Sequence, residues 1–260
     1  MAEKTGWETS ETARRYLEMA DVLIPCRRDI LYAIAKLTAE FTPENPVILD
    51  IGCGNGDVTN EILSLKPSVS LSLLDYSDDM IKMATERFSN NSNIKVLKHN
   101  LNNGLPEQMM AVKFDAVVSC FALHHIELEN RVRLYENIRQ VLREGGLFIN
   151  GDRFIVESPS INQWGNDFWI AWVVERIRTE LGIERTFEEV KQAQVESDKQ
   201  HGDKPGTIWE MREDLKRAGF KFVDCIWMQY NLCLGIIVAS KTSAKRKQTP
   251  SKEVSTHAIS

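Results

Sequence analysis

The chain has 260 residues, with 32 lysines and arginines against 37 aspartates and glutamates, a formal net charge of −5. That mild acidic excess gives no general electrostatic footprint for nucleic acid, and the clustered basic residues (Lys241, Lys245, Arg246, Lys247, Lys252) lie near the C-terminal end. No apolar run approaches the roughly 20 residues that cross a bilayer, and residues 1–16 contain no signal-peptide core, so a cytoplasmic protein without a membrane partner is expected.

Residues from Ser10 to about Phe41 read as helical, with Ser10 able to cap and Pro25 suited to open a second helix carrying Ile30, Leu31, Ile34 and Leu37. Pro43 and Pro46 end this N-terminal helical cap, residues 1–44. Apolar strands and amphipathic helices then alternate. Strands are expected at Val47–Leu49, Ser70–Leu74, Ile94–Leu97, Phe114–Cys120 and Gly146–Asn150, and helices at Val58–Leu65, Asp78–Phe88 and Leu128–Leu142. This rhythm is that of an α/β protein, a parallel sheet covered on both faces. Residues 152–206 interrupt it as a helical insertion. Two further strands, Lys221–Gln229 and Leu232–Ala239, are separated by only Tyr230 and Asn231. So short a link permits a hairpin but no parallel crossover, so one of these strands runs antiparallel. Residues 1–240 are expected to form one domain and 241–260 a disordered tail. The five cysteines are odd in number and form no C-x-x-C pair. They indicate neither a disulfide framework nor a metal site, and no metal is expected.

Chemistry concentrates after the first strand. In Val47-Ile48-Leu49-Asp50-Ile51-Gly52-Cys53-Gly54-Asn55-Gly56 a buried strand runs into a glycine turn and then a helix. Glycines there let a ligand lie against backbone. A dinucleotide fingerprint would need glycine at position 57, where Asp57 stands, and an acid facing a pyrophosphate is unfavourable. The loop suits a ligand without phosphate. Asp75, at the end of the second strand, can accept hydrogen bonds from both hydroxyls of a ribose, or cap the helix that follows. Tyr76 offers a flat face to a base, Asn100 can accept from an amino group or serve as a turn residue, and Leu101 can pack on a ring.

Taken in order, LDIGCGNG, LLDYSDDM, HNL, FDAVVSCFALHH and LREGGLFI resemble the class I S-adenosylmethionine-dependent methyltransferases over about Asn45–Asn150. The resemblance implies a doubly wound, Rossmann-like, seven-stranded sheet, mostly parallel with one reversed strand in the C-terminal hairpin. It implies S-adenosylmethionine as cofactor. Asp50, Gly52 and Gly54 would hold the methionine moiety, Asp75 the ribose, and Tyr76 and Met80 the two faces of adenine. Asn100 and Leu101 would line the adenine edge, and Cys120 would supply backbone near the sulfonium. The family commonly has Asp where Asn100 stands.

His124 and His125 are the candidate catalytic pair, since a histidine can take a proton from an acceptor; they can equally fix the loop. Methyl transfer is an in-line displacement in which orientation and desolvation do much of the work. Cys120 closes an apolar strand and reads as a buried thiol rather than a nucleophile. Trp164, Phe168, Trp169 and Trp172 make a helix apolar nearly all round, which must be buried, dimerise or roof a pocket. They are the candidates for acceptor binding, and a homodimer through this aromatic lid is the other use of such a face. Glu184–Lys199 reads as a solvated helix face. Tyr16 and Arg28 are candidates for the methionine carboxylate or an acidic acceptor. A small-molecule acceptor is expected. The competing readings are a tRNA wobble-uridine enzyme using a carboxylated cofactor, which predicts a basic strip near the pocket, and a cofactor-binding subunit without turnover.

Overall fold

Seven strands form one sheet in the computed structural model, which describes residues 19–229 and 234–247. In chain order they are β1 (Val47–Ile51), β2 (Ser70–Asp75), β3 (Ile94–Lys98), β4 (Phe114–Cys120), β5 (Leu142–Arg153), β6 (Phe222–Met228) and β7 (Leu234–Ser240). Across the sheet they lie as β3-β2-β1-β4-β5-β7-β6. Strand β7 is antiparallel to both β5 and β6, and the remaining pairings are parallel. The seven-stranded sheet with its reversed strand is therefore as the sequence indicated.

Side-chain alternation along the central strands dictates the layers. Val117 of β4 packs with Leu134 and Ile138 of α4 (Leu128–Val141) and with Met211 and Leu215 of the last helix, Ile208–Arg217. Its neighbours Ala116 and Val118 point the other way. They pack with Ile30 and Ile34 of α1 (Arg27–Phe41), Ile62 of α2 (Asp57–Leu65) and Ala84 of α3 (Asp78–Arg87). Both sheet faces are thus dry, which is why the central strands are apolar without alternation in polarity. The chain leaves β1 toward β2 and β3 on one side, whereas β4 lies on the other. A crevice opens at the carboxyl ends of β1 and β4, the usual ligand position in such sheets.

Three details differ from expectation. β5 begins at Leu142 rather than Gly146, because a register shift between Phe114 and Ala116 absorbs Gly145 and Gly146 in a bulge. A side chain at Gly146 would meet the Asp115 carbonyl at 2.9 Å, so the bulge demands glycine. Residues 241–247, expected as part of a disordered tail, are tied to the body: Lys241 Nζ donates to the Leu142 carbonyl and Arg246 pairs with Glu40. The insertion is a helical hairpin of α5 (Pro159–Leu181) and α6 (Phe187–His201), followed by α7 (Ile208–Arg217). Ile170 and Val173 of α5 bury against Val190 of α6 in a small core of their own. Among the described residues no helix is long and apolar enough to cross a membrane.

Candidate active site

The crevice holds a cavity of about 280 Å³ that joins the carboxyl ends of β1, β2, β3 and β4 to His201 at the end of α6 and to Gly202 and Lys204 beyond it. Its first end is built largely from backbone. Gly52 has φ 65°, and a Cβ there would stand 2.1 Å from the Ala122 Cβ, so the loop after β1 can touch the loop after β4 only as glycine. Gly54, with φ 54°, leaves its face open to the cavity. The Gly54 N–H donates to Asp75 Oδ2 at 2.8 Å and the Ser77 N–H to Asp75 Oδ1 at 2.9 Å. Asp75 is thereby fixed at the cavity wall, with lone pairs left for a diol. Burial raises its pKa although backbone N–H groups of Ser77, Gly54 and Tyr76 oppose the shift. Helix α3 is capped by the Ser77 hydroxyl, which accepts from the Met80 N–H, so capping falls to Ser77 and leaves Asp75 for the cavity.

Tyr76 stands at the rim with the Lys98 ammonium 5.8 Å from its ring centre, and Met80 is buried one helical turn on. Asn100, Leu101 and Cys120 also line the cavity. The Asn100 side-chain carbonyl already accepts from the Asn102 N–H, capping the 3₁₀ turn Leu101–Asn103, so its turn role is filled and only its second lone pair faces other demands. Burial pushes the Cys120 thiol well up, in keeping with a packed, unreactive sulfur.

Asp50 lies behind the glycine loop rather than on the cavity wall. It is wholly buried, its Oδ2 accepts from the Thr59 hydroxyl at 2.7 Å, and burial raises its pKa to about 7. Its Oδ1 has no hydrogen-bond partner among the described residues. The carboxylate at Asp75 and the open glycine face beside it fit S-adenosylmethionine, whose ribose hydroxyls are donors.

The N-terminal candidates shift by one residue. Arg28 is 74 % exposed and pairs with Asp21 on the surface. Arg27, one position earlier in the first turn of α1, is turned inward, lines the cavity and bridges Asp21 and Asp57. Tyr16 lies outside the described residues. Asp57, whose identity excluded a pyrophosphate, receives both Arg27 and Arg87. Burial pushes its pKa up, but the Arg87 and Arg27 guanidiniums outweigh this and hold it below the usual carboxylate range.

The second end of the cavity is built from side chains. Phe121 adopts φ 53°, an uncommon conformation for a bulky residue, and its N–H donates to the Gly151 carbonyl. This bend leads into the 3₁₀ turn Leu123–His125. His125 lines the cavity, while His124 lies behind it, 2.6 Å through Nδ1 from Asp152 Oδ1. His125 Nδ1 is 3.1 Å from Asp203 Oδ1. Burial, and then the neighbouring His124, lower the pKa of His125 against the pull of Asp203. Asp203 would be raised by burial, but the His125 hydrogen bond and the charges of His124, His125 and Arg153 hold it far below the usual range. Asp152 behaves alike, its burial outweighed by His124. His201, Gly202 and Lys204 complete this end, with Lys204 Nζ 3.1 Å from Glu127.

None of Trp164, Phe168, Trp169 and Trp172 lines the cavity. Trp164 is 52 % exposed, with its ring 5.9 Å from that of Phe168. Trp169 Nε1 donates to the Leu23 carbonyl, and Trp172 carries the Arg176 guanidinium on its ring. The expected pocket roof is instead a wall against the N-terminal segment and α6. Sequence reasoning missed Arg27, Asp152, Asp203, Arg153 and Lys204. Asp152, Arg153 and Asp203 had no local motif, and 184–199, read as a solvated face, delivers His201 and Asp203 to the site at its far end.

Comparison with known proteins concerns the domain and the fold. Residues 48–146 match the family model described as "Methyltransferase domain". The chain is 26 % identical over 238 residues to a carboxy-S-adenosyl-L-methionine synthase of Staphylococcus epidermidis, covering 89 % of this chain and 95 % of that one. It is 27 % identical over 210 residues to a malonyl-[acyl-carrier protein] O-methyltransferase of a Paenibacillus species, covering 79 % and 66 %. Among solved structures it shares the fold of the pyocyanin biosynthetic protein PhzM (TM-score 0.60, 18 % identity, 89 % of this chain). It shares it also with human N-acetylserotonin methyltransferase in complex with S-adenosylmethionine (TM-score 0.58, 17 % identity, 93 % of this chain). This chain spans 59 % and 60 % of the length of those two. Residues 48–146 are thus a methyltransferase domain, and the fold around them is one shared with S-adenosylmethionine-dependent methyltransferases.

Proposed function

We propose that the protein transfers the methyl group of S-adenosylmethionine in line to a small-molecule acceptor seated between the Cys120–Ile126 turn and residues 201–204. The observation that carries this reading is the continuity of the cavity: it does not stop at the glycine loop and Asp75, but runs on to His125, His201 and Lys204. The cofactor, when bound, supplies an electrophilic methyl group on a sulfonium. What the chain supplies is placement. Asp75 and the glycine loop fix one partner, and the walls from Phe121 to His125 and from His201 to Lys204 confine the other and exclude water. His125, backed by Asp203, is the polar group an acceptor meets.

The charged residues lining the cavity are mixed in sign, Arg27 and Lys204 against Asp57, Asp75 and Glu127. That supports a small acceptor over RNA, whose backbone wants a basic track. The names of the relatives differ among themselves, one a synthase of a carboxylated cofactor and one an O-methyltransferase. Arg27 is already bridged by Asp21 and Asp57, which favours methyl transfer over capture of a further carboxylate at that guanidinium.

The test is incubation of the protein with methyl-labelled S-adenosylmethionine and a metabolite extract. Label should enter a low-molecular-weight product, and His125→Ala should abolish most transfer while cofactor affinity by calorimetry stays within about twofold. Label in RNA alone, or none in any extract, would sink the small-molecule reading.

A further inference from the structure

Behind the acceptor end, His124, His125 and Asp203 bring one ligand-type atom each to within 4.8 Å of one another. We infer that these three side chains form a binding site for a zinc-class divalent metal ion, with its open position toward the cavity. The separations are close to those of a loaded site. His124 Nε2 lies 3.9 Å and His125 Nδ1 3.1 Å from the two oxygens of Asp203, and ligands bound at about 2.0–2.1 Å to a tetrahedral ion stand roughly 3.3 Å apart. Consecutive side chains on a 3₁₀ turn diverge by about a third of a turn, yet these two imidazole rings approach to 4.0 Å between centroids. A simple histidine–aspartate pair needs no such convergence; a shared ion does.

The surroundings fit as well. Asp152 holds His124 Nδ1 at 2.6 Å, which directs Nε2 toward Asp203 in the carboxylate–histidine arrangement that orients metal ligands. Arg153 bonds both Asp203 and Asp198, fixing the third ligand from behind. Counted among these described groups, three carboxylates face one guanidinium, and the excess of negative charge matches a divalent cation when the imidazoles are uncharged. Two nitrogens and one carboxylate oxygen suit zinc, cobalt or nickel rather than calcium or magnesium. Three protein ligands leave a coordination position open, and His125 and Gly202 place it at the cavity wall. There a hydroxyl, thiol or amine of the acceptor would bind and lose its proton more readily; this role rests on the proposed acceptor position, whereas the site itself does not.

The experiment uses the full chain, stripped with a chelator and titrated with Zn²⁺ against a competing indicator. One equivalent should bind, and Asp203→Asn should weaken it by tenfold or more, as should Asp152→Asn, whose effect on an oriented ligand is typically about 10–100-fold. His125→Gln provides the variant at the cavity wall. Cobalt in place of zinc should give the visible absorption of a four-coordinate site. Cofactor affinity, measured on the same samples, reports folding and should not change. Absence of stoichiometric Zn²⁺ binding to the unmutated chain, or binding that Asp203→Asn and His125→Gln leave unchanged, would overturn the site without touching the cofactor reading.

Discussion

The two ends of the cavity are made by different means. At the cofactor end, one short stretch, residues 50–56, and one carboxylate at the end of the next strand do nearly everything, and most of the contacts they offer are backbone. At the end proposed for the acceptor, the Leu123–His125 turn, the end of β5 and the loop after α6 each contribute a side chain or two. The first end is a property of the sheet: parallel strands end together, so residues next to strand ends in sequence are neighbours in space. The second depends on an insertion folding back, so its parts are distant in the chain. The lesson is that a wall built at strand ends shows in sequence as a motif, whereas one built by an insertion exists only as an assembly.

The sharpest way to break this contrast is at Asp75. Asp75→Ala removes a carboxylate that both holds the Gly54 and Ser77 amides and faces the cavity. S-adenosylmethionine affinity by calorimetry should fall about a hundredfold, roughly 3 kcal/mol for two charge-assisted hydrogen bonds. Unchanged affinity would remove the cofactor end as described. Next in size is Gly52→Ala. With φ 65° and a Cβ contact of 2.1 Å, the substitution should cost about 2 kcal/mol in denaturant unfolding and loosen cofactor binding with it.

A third test uses pH. The raised pKa of Asp50, about 7, means that the ligand-free fold holds a proton there which the unfolded chain, at an ordinary 3.8, gives up earlier. Its contribution to stability is present at acid pH and is lost as pH rises from about 4 through about 7. Asp50→Asn should flatten that part of the profile. On the expectation that Asp50 serves the methionine moiety from behind the loop, cofactor affinity of the unmutated protein should rise over the same interval and that of Asp50→Asn should not. Parallel profiles for the two proteins would detach Asp50 from the methionine end.

The smallest effect is expected on α5. Trp164→Ser, on an exposed side chain away from the cavity, should leave stability within about 0.5 kcal/mol and acceptor KM within twofold. A large rise in KM would restore the aromatic helix as a lid over the acceptor.

Much of the fold was legible because its signals are local. The strand–glycine–helix passage at 47–56, the apolar run 114–120 and the antiparallel pairing of the last two strands each depend on nearby residues, and each appears in the structure. The all-round apolar character of α5 left burial, dimerisation and a pocket roof open, since periodicity cannot say what covers such a helix. In the fold α6 covers Ile170 and Val173, Leu23 meets Trp169, and Trp164 and Phe168 stay exposed. Arg27 and Arg28 could not be told apart in sequence, since only the angle at which α1 meets the sheet decides which of two adjacent residues turns inward.

What the sequence determined by itself was the sheet, its reversed strand and the place of Asp75 at the end of β2, beside the glycine loop. Strand and turn chemistry acts over short distances, and a parallel sheet converts that local order into a fixed spatial one. What the tertiary structure decided was the partnership of His124 and His125 with Asp152 and Asp203. The pairing of β5 beside β4 brings Asp152 to His124, and the packing of the insertion brings Asp203, from beyond α6, to His125.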